Sequence, residues 1–158
     1  MLKQDLDSGG IQGSIVSVPS LVGLNASPGL SAYCSTKHAI IAMVKTDALD
    51  YGPHGIRVNA ICPGPTETEA FSDLVNEQQR AIMGRAIPMQ RVDTSEDMGN
   101  TIVFLSSHCA SYIHGVTLNV DGGSFIRKVY FNKETWYYII TLQRKCWGRL
   151  WQGIISIM

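Results

Sequence analysis

The residues predict the α/β class: part of a doubly wound parallel sheet. Three observations carry that expectation. Short β-branched runs bounded by Gly and Pro alternate with longer runs whose apolar residues recur at helical spacing. The order is strand–helix–strand–helix–strand, which calls for parallel strands joined by right-handed crossovers. A chain of 158 residues with 45% hydrophobic content can bury one core, so a single domain is expected.

Residues 14–18 (Ser-Ile-Val-Ser-Val) are β-branched and lie between Gly13 and Pro19, as a buried parallel strand should. A loop with Gly23, Asn25, Ser27, Pro28 and Gly29 follows. Residues 31–51 read as a long helix, because Ile40, Ile41, Val44, Ala48 and Tyr51 share one face. Gly52-Pro53 stops it, with Gly52 expected in the left-handed end position. Arg57 to Cys62 is the second strand, halted by Pro63-Gly64. Residues 66–88 are acidic and polar-helical around Phe71, Leu74, Val75 and Ile82, a mobile cover more than a core element. Thr94 or Ser95 caps the next helix, whose Glu96 and Asp97 suit its positive end. Gly115 turns the chain into a last strand, Val116 to Val120, and Asp121-Gly122-Gly123 reads as a tight turn below it.

Net charge is zero, which removes any general attraction to nucleic acid or other polyanions. The average conceals a step. Residues 1–126 carry seven Lys/Arg against twelve Asp/Glu, whereas residues 127–158 carry six against one and hold all three tryptophans. Such a step marks a boundary between a folded unit, 1–126, and a basic aromatic tail, 127–158. Cys34, Cys62, Cys109 and Cys146 form no Cys-x-x-Cys pair, so neither a zinc site nor a disulfide framework is expected. His38, His54, His108 and His114 follow no metal-ligand pattern. Met1-Leu-Lys-Gln-Asp-Leu-Asp lacks an apolar leader core, and no apolar run nears the ~18 residues of a membrane span. The expectation is a cytoplasmic protein with no membrane span.

The chemistry-bearing residues fall at fixed distances. Tyr33-Cys34-Ser35-Thr36-Lys37 puts a phenol and an ammonium one helical turn apart on one face. Ser20 stands thirteen residues before Tyr33, past the end of the first strand, where ligands of open α/β sheets bind. Arg57-Val-Asn-Ala-Ile-Cys-Pro-Gly64 and Val116-Thr-Leu-Asn-Val-Asp-Gly-Gly123 follow downstream. A lone Tyr-x-x-x-Lys is a weak signal in a chain with six tyrosines, and the four landmarks in this order are a strong one.

Together they closely resemble the C-terminal half of a compact, single-domain short-chain dehydrogenase/reductase. The match covers roughly residues 1–126. The resemblance implies a Rossmann-like sheet, of which the N-terminal half with its glycine loop is not seen, and an oxidoreductase using NADP or NAD. Tyr33, Lys37 and Ser20 are then the catalytic residues. Tyr33 passes the proton, Lys37 favours phenolate and holds the nicotinamide ribose, and Ser20 orients the carbonyl oxygen. A free phenol, with a pKa of ~10, is too protonated to act as a base at neutral pH, so a neighbouring positive charge is required. Tyr33 and Lys37 also count among the cofactor-binding residues, with Pro63, Gly64, Thr66 and Thr68 of the Pro-Gly-x-x-x-Thr segment. Pro19 departs from the family, which more often has serine there.

The resemblance further implies a small-molecule ketone or secondary alcohol as substrate, and a homo-oligomer when the fold is complete. No Thr-Gly-x-x-x-Gly-x-Gly loop precedes a first strand, so nothing visible cradles a pyrophosphate. The alternative reading is therefore a truncated, inactive relative acting as a subunit or interaction partner. An epimerase of the larger Tyr-x-x-x-Lys relatives is disfavoured by the short distance from Pro63-Gly64 to Asp121-Gly122-Gly123.

Overall fold

The structure, a computed structural model, describes residues 1, 2, 5 and 9–126. The proposed tail, 127–158, lies outside those residues. Strand β1 (Gly13–Ser17) leads into helix α1 (Ser31–Tyr51), and strand β2 (Ile56–Pro63) follows. Helices α2 (Glu69–Leu74), α3 (Glu77–Ala86) and α4 (Ser95–Ser106) precede strand β3 (Thr117–Val120). The strands form one parallel sheet in the order β1-β2-β3, with Ser17 opposite Ala60 and Cys62 opposite Asn119.

Strand β2 is the centre, and every residue from Ile56 to Cys62 is buried. Period-two alternation sends Ile56, Val58 and Ala60 against Val44 and Ala48 of α1. Ile61 faces the other way, against Met98 and Leu105 of α4 and Ala110. The sheet is therefore covered on both faces. That corrects the expectation that both crossovers are right-handed. Two crossovers of one hand, stepping from β1 to β2 to β3, would leave both helices on one face, so opposite faces require opposite hands. The long connection from Gly64 to Thr94 lets the chain round the end of the sheet before α4 begins.

The end of α1 also differs from expectation. Gly52 stays right-handed (φ −53°) and opens a 3₁₀ turn, Gly52–His54, while Gly55 takes the left-handed position (φ 69°). Gly52 is small for another reason: a Cβ there would lie 2.9 Å from Nε2 of His114. That imidazole accepts from Val58 N–H at Nδ1 (3.1 Å) and donates through Nε2 to the Ala48 carbonyl (2.7 Å). It ties α1 to β2, a role not visible in the sequence.

Residues 66–88 resolve into α2 and α3, capped by Thr68 and by an Asn76/Gln79 capping box. Val75 and Ile87 are buried, so this segment has a buried apolar side of its own. Helix α4 starts at Thr94, whose hydroxyl accepts from Asp97 N–H. At its other end the buried Arg57 guanidinium donates to the carbonyls of Leu105 (2.7 Å) and Ser107 (3.1 Å). Those contacts satisfy carbonyls that the helix end leaves open, and burial lowers the affinity of Arg57 for its proton. Among the described residues no helix is long and apolar enough to cross a membrane, and no cluster of His, Cys, Asp or Glu could hold a metal ion.

Candidate active site

Parallel strands end on the same side of a sheet, and the candidate residues gather there. Ser17 is level with Ala60, so Ser20 and Pro63, three residues further on, leave the sheet at the same height. The Ser20 hydroxyl accepts weakly from Val22 N–H (3.4 Å) and begins the 3₁₀ turn Leu21–Gly23. That turn lies hard on α1: a Cβ at Gly23 would meet the Lys37 carbonyl oxygen at 2.9 Å. Glycine is required by this close approach, which brings the Ser20 loop to the turn of helix carrying Lys37.

Tyr33 and Lys37 occupy the first two turns of α1, and the Lys37 ammonium stands 5.4 Å from the centre of the Tyr33 ring. Among the described residues neither the Tyr33 hydroxyl nor the ammonium is spent on a hydrogen bond or an ion pair. No hydrogen bond joins Ser20 to Tyr33 either. The Tyr33 hydroxyl and the Lys37 ammonium thus keep their hydrogen-bonding capacity, and the Ser20 hydroxyl, an acceptor from Val22 N–H, keeps its proton to donate. Cys62 was not singled out from sequence, although alternation along β2 places it on the α1 face. Burial pushes its thiol up, against the opposing pull of the Ser20 N–H and the Lys37 ammonium. The thiol is therefore within reach of the Ser20 backbone and of the Lys37 charge.

Gly64 continues β2 through its N–H to the Val120 carbonyl (3.0 Å). It could carry no side chain without displacing its neighbours: a Cβ would stand 3.1 Å from Cα of Asp121 and 3.2 Å from Oδ2 of Asp93. The Thr66 hydroxyl donates to the Gly64 carbonyl (3.1 Å), and Thr66 pairs with Asp93 in a parallel bridge. The Thr68 hydroxyl accepts from Phe71 N–H (3.1 Å), which leaves its own proton available. Both threonines therefore shape the turn as well as border it. The Asp121-Gly122-Gly123 turn is as expected, with left-handed glycines (φ 59° and 90°) and Asp121 accepting from Gly123 and Phe125 N–H.

Comparison with known proteins matches the chain to a family. A family model described as enoyl-(acyl carrier protein) reductase matches residues 3–124. The 3-oxoacyl-[acyl-carrier-protein] reductase FabG of Rickettsia felis is 38% identical over 111 residues, 70% of this chain and 46% of that protein. The A-factor type gamma-butyrolactone 1'-reductase of Streptomyces virginiae is 40% identical, over 72% of this chain and 45% of its own. Among solved structures, a 2-deoxy-D-gluconate 3-dehydrogenase from Agrobacterium tumefaciens with bound NADP superposes with a TM-score of 0.69 at 36% identity. It is matched over 77% of this chain and 50% of its own. ElxO with NADP bound gives a TM-score of 0.68 at 32% identity, over 73% and 47%. The chain spans about half the length of the curated relatives it matches. Residues 3–124 place it in the short-chain dehydrogenase/reductase family.

Proposed function

We propose that this chain carries the catalytic half of an oxidoreductase that interconverts a ketone and a secondary alcohol with NADP or NAD. What supports this reading is the Tyr33–Lys37 pair, unspent on α1, with the turn that follows Ser20 packed closely on the Lys37 backbone. The residues present fit the nicotinamide end of a dinucleotide. Lys37 and Tyr33 offer donors to its ribose, and the glycine turn at Pro63–Gly64 offers backbone at close range, with Thr66 and Thr68 behind it. When bound, the dinucleotide supplies or accepts the hydride.

The protein's own groups manage the proton and the oxygen. The Ser20 hydroxyl donates to the substrate oxygen and stabilises negative charge developing there. Tyr33 gives its phenolic proton to that oxygen in reduction and takes one back in oxidation. The Lys37 ammonium stabilises negative charge left on the phenol oxygen. Cys62 lies behind Ser20 and Lys37 as packing. Phe71, Leu74 and Ile82 on the covering helices favour a moderately apolar substrate.

The fold's outward faces support an assembly of like subunits. Met43 and Leu49 on α1, with Val103 and Phe104 on α4, are exposed apolar residues on two long helices. Sedimentation of an intact fold is expected to give a dimer or tetramer, and a clean monomer at micromolar concentration would contradict it. A second reading treats the 158 residues as a non-catalytic subunit. It is favoured by the outer edge of β1, where Ile15 and Val18 are exposed.

Supplying the chain with the upstream half of a relative decides between the two readings. In such a chimaera Tyr33→Phe should remove nearly all turnover while cofactor binding persists. Wild-type rates in the Phe variant would refute the role of Tyr33, and a folded chimaera that binds cofactor without turnover would favour the second reading.

A further inference from the structure

Three carboxyls meet beneath the Pro63–Gly64 turn, with one cation among them. Asp97 takes that cation: the Arg91 guanidinium grips it with two hydrogen bonds of 2.6 and 2.9 Å, and Thr94 adds its N–H and hydroxyl. Asp121 is satisfied by backbone, Oδ1 accepting from Gly123 N–H (3.0 Å) and Oδ2 from Phe125 N–H (2.6 Å). Asp93 is the one left over. It is 5% exposed, and its Oδ2 is buried without a partner among the described residues.

Its position makes that charge consequential. The Asp93 backbone clamps the turn from both sides, its N–H donating to the Pro65 carbonyl (3.0 Å) and its carbonyl accepting from Glu67 N–H (2.8 Å). Oδ2 is one of the atoms that a side chain on Gly64 would meet, at 3.2 Å, beside Cα and Cβ of Asp121 at 3.1 Å. Ser95 adds a third tie, through its hydroxyl to the Glu67 carbonyl (2.9 Å). The groups facing the Asp93 carboxyl are Asp97 and Arg91 beside α4, Asp121 after β3, and the N–H of Gly64 after β2. Burial first, then the two like charges, favour its protonated form over the attraction of Arg91 and Gly64.

We propose that Asp93 is a protonation-sensitive positioning residue for residues 64–67. Neutral, its carboxyl lets the turn settle on Asp93 and Asp121. Ionised, it places unpaired charge directly under Gly64 and against Asp121, which loosens the pairing of Pro65 and Glu67 with Asp93. Only the consequence for nicotinamide binding rests on the function proposed above. The device itself needs no cofactor.

The test is amide hydrogen exchange at Gly64 and Glu67 in the 158-residue chain as a function of pH, with carboxyl ¹³C titration of Asp93. After correction for intrinsic exchange, wild-type protection should fall several-fold as pH rises through the Asp93 transition. Asp93→Asn should stay at the acid-side level throughout. An unchanged pH dependence in Asp93→Asn overturns the proposal. So does an Asp93 titrating at the ordinary carboxylate value, a measurement that needs no variant. In the chimaera, NADP affinity should follow the same transition. A flat affinity beside pH-dependent exchange would retire the turn's proposed cofactor role and leave the device standing.

Discussion

On one flank of β2, strand β3 and the residues leading into helix α4 close over the turn after Pro63–Gly64, through the backbone bonds of Gly64 to Val120, Asp93 to Pro65 and Glu67 to Asp93. On the other flank β1 pairs with β2 along one edge, and no described strand pairs with its opposite edge. Ile15 and Val18 are exposed there, and a groove of about 430 Å³ runs between Met1, Leu2, Ile15, Tyr51 and Ile56. The candidate site straddles the two. Pro63, Gly64, Thr66 and Thr68 sit on the closed flank, held by Asp93, Asp121 and Val120. Ser20 leaves the sheet from the strand of the open flank. The Pro63–Thr68 part of the candidate site is therefore expected to be more rigid than the Ser20 loop.

Core substitution on the closed flank should show the largest effect. Ile61→Ala removes a fully buried side chain packed on Met98, Leu105 and Ala110. It should cost about 2–5 kcal/mol in urea unfolding. Gly64→Ala comes next, since its Cβ meets the backbone of Asp121 and not a flexible tip. A loss of about 1–3 kcal/mol is expected from overpacking. Thr94→Ala removes the cap of α4 and should cost about 1 kcal/mol by the same assay.

Asp97 sharpens the comparison through pH. Arg91 and Thr94 hold its carboxyl well below the usual carboxylate range. A depressed carboxylate contributes stability above its unfolded value of 3.8, and that contribution is lost as pH falls. Asp93 has the opposite sign, because a raised carboxyl contributes stability at low pH that is lost as pH rises through its folded value. Melting curves should therefore show Asp97→Asn destabilising at pH 7 and converging on wild type in acid, with Asp93→Asn stabilising at pH 7.

The smallest effect is expected at the open edge. Ile15→Lys should change stability by no more than about 0.5 kcal/mol and raise solubility, because the side chain is exposed and Lys discourages edge-to-edge pairing. A penalty near that of Ile61→Ala would break the comparison, since it would mean that something covers this edge.

What could be read from sequence follows from which forces are local. The 31–51 helix matched its observed bounds, because apolar spacing and the Gly-Pro stop are written into contiguous residues. Thr94 and the Asp121-Gly122-Gly123 turn were legible for the same reason. Gly52 was misjudged because its smallness serves a histidine 62 residues away, not the helix end. The opposite hand of the second crossover was hidden, since the face on which α4 packs depends on a long connection and not on the helix's own pattern. Cys62 and Asp93 acquire meaning only through neighbours from other elements. Residues 127–158, set apart by charge and aromatic content, lie outside the described residues.

The central claim is that this chain holds the nicotinamide end of a dinucleotide site and not the pyrophosphate end. Calorimetric titration of the 158-residue chain with NADP and NAD tests it most directly. With contacts from Tyr33, Lys37 and the Pro63–Thr68 turn alone, affinity weaker than millimolar is expected. Saturable binding in the micromolar range would contradict the claim.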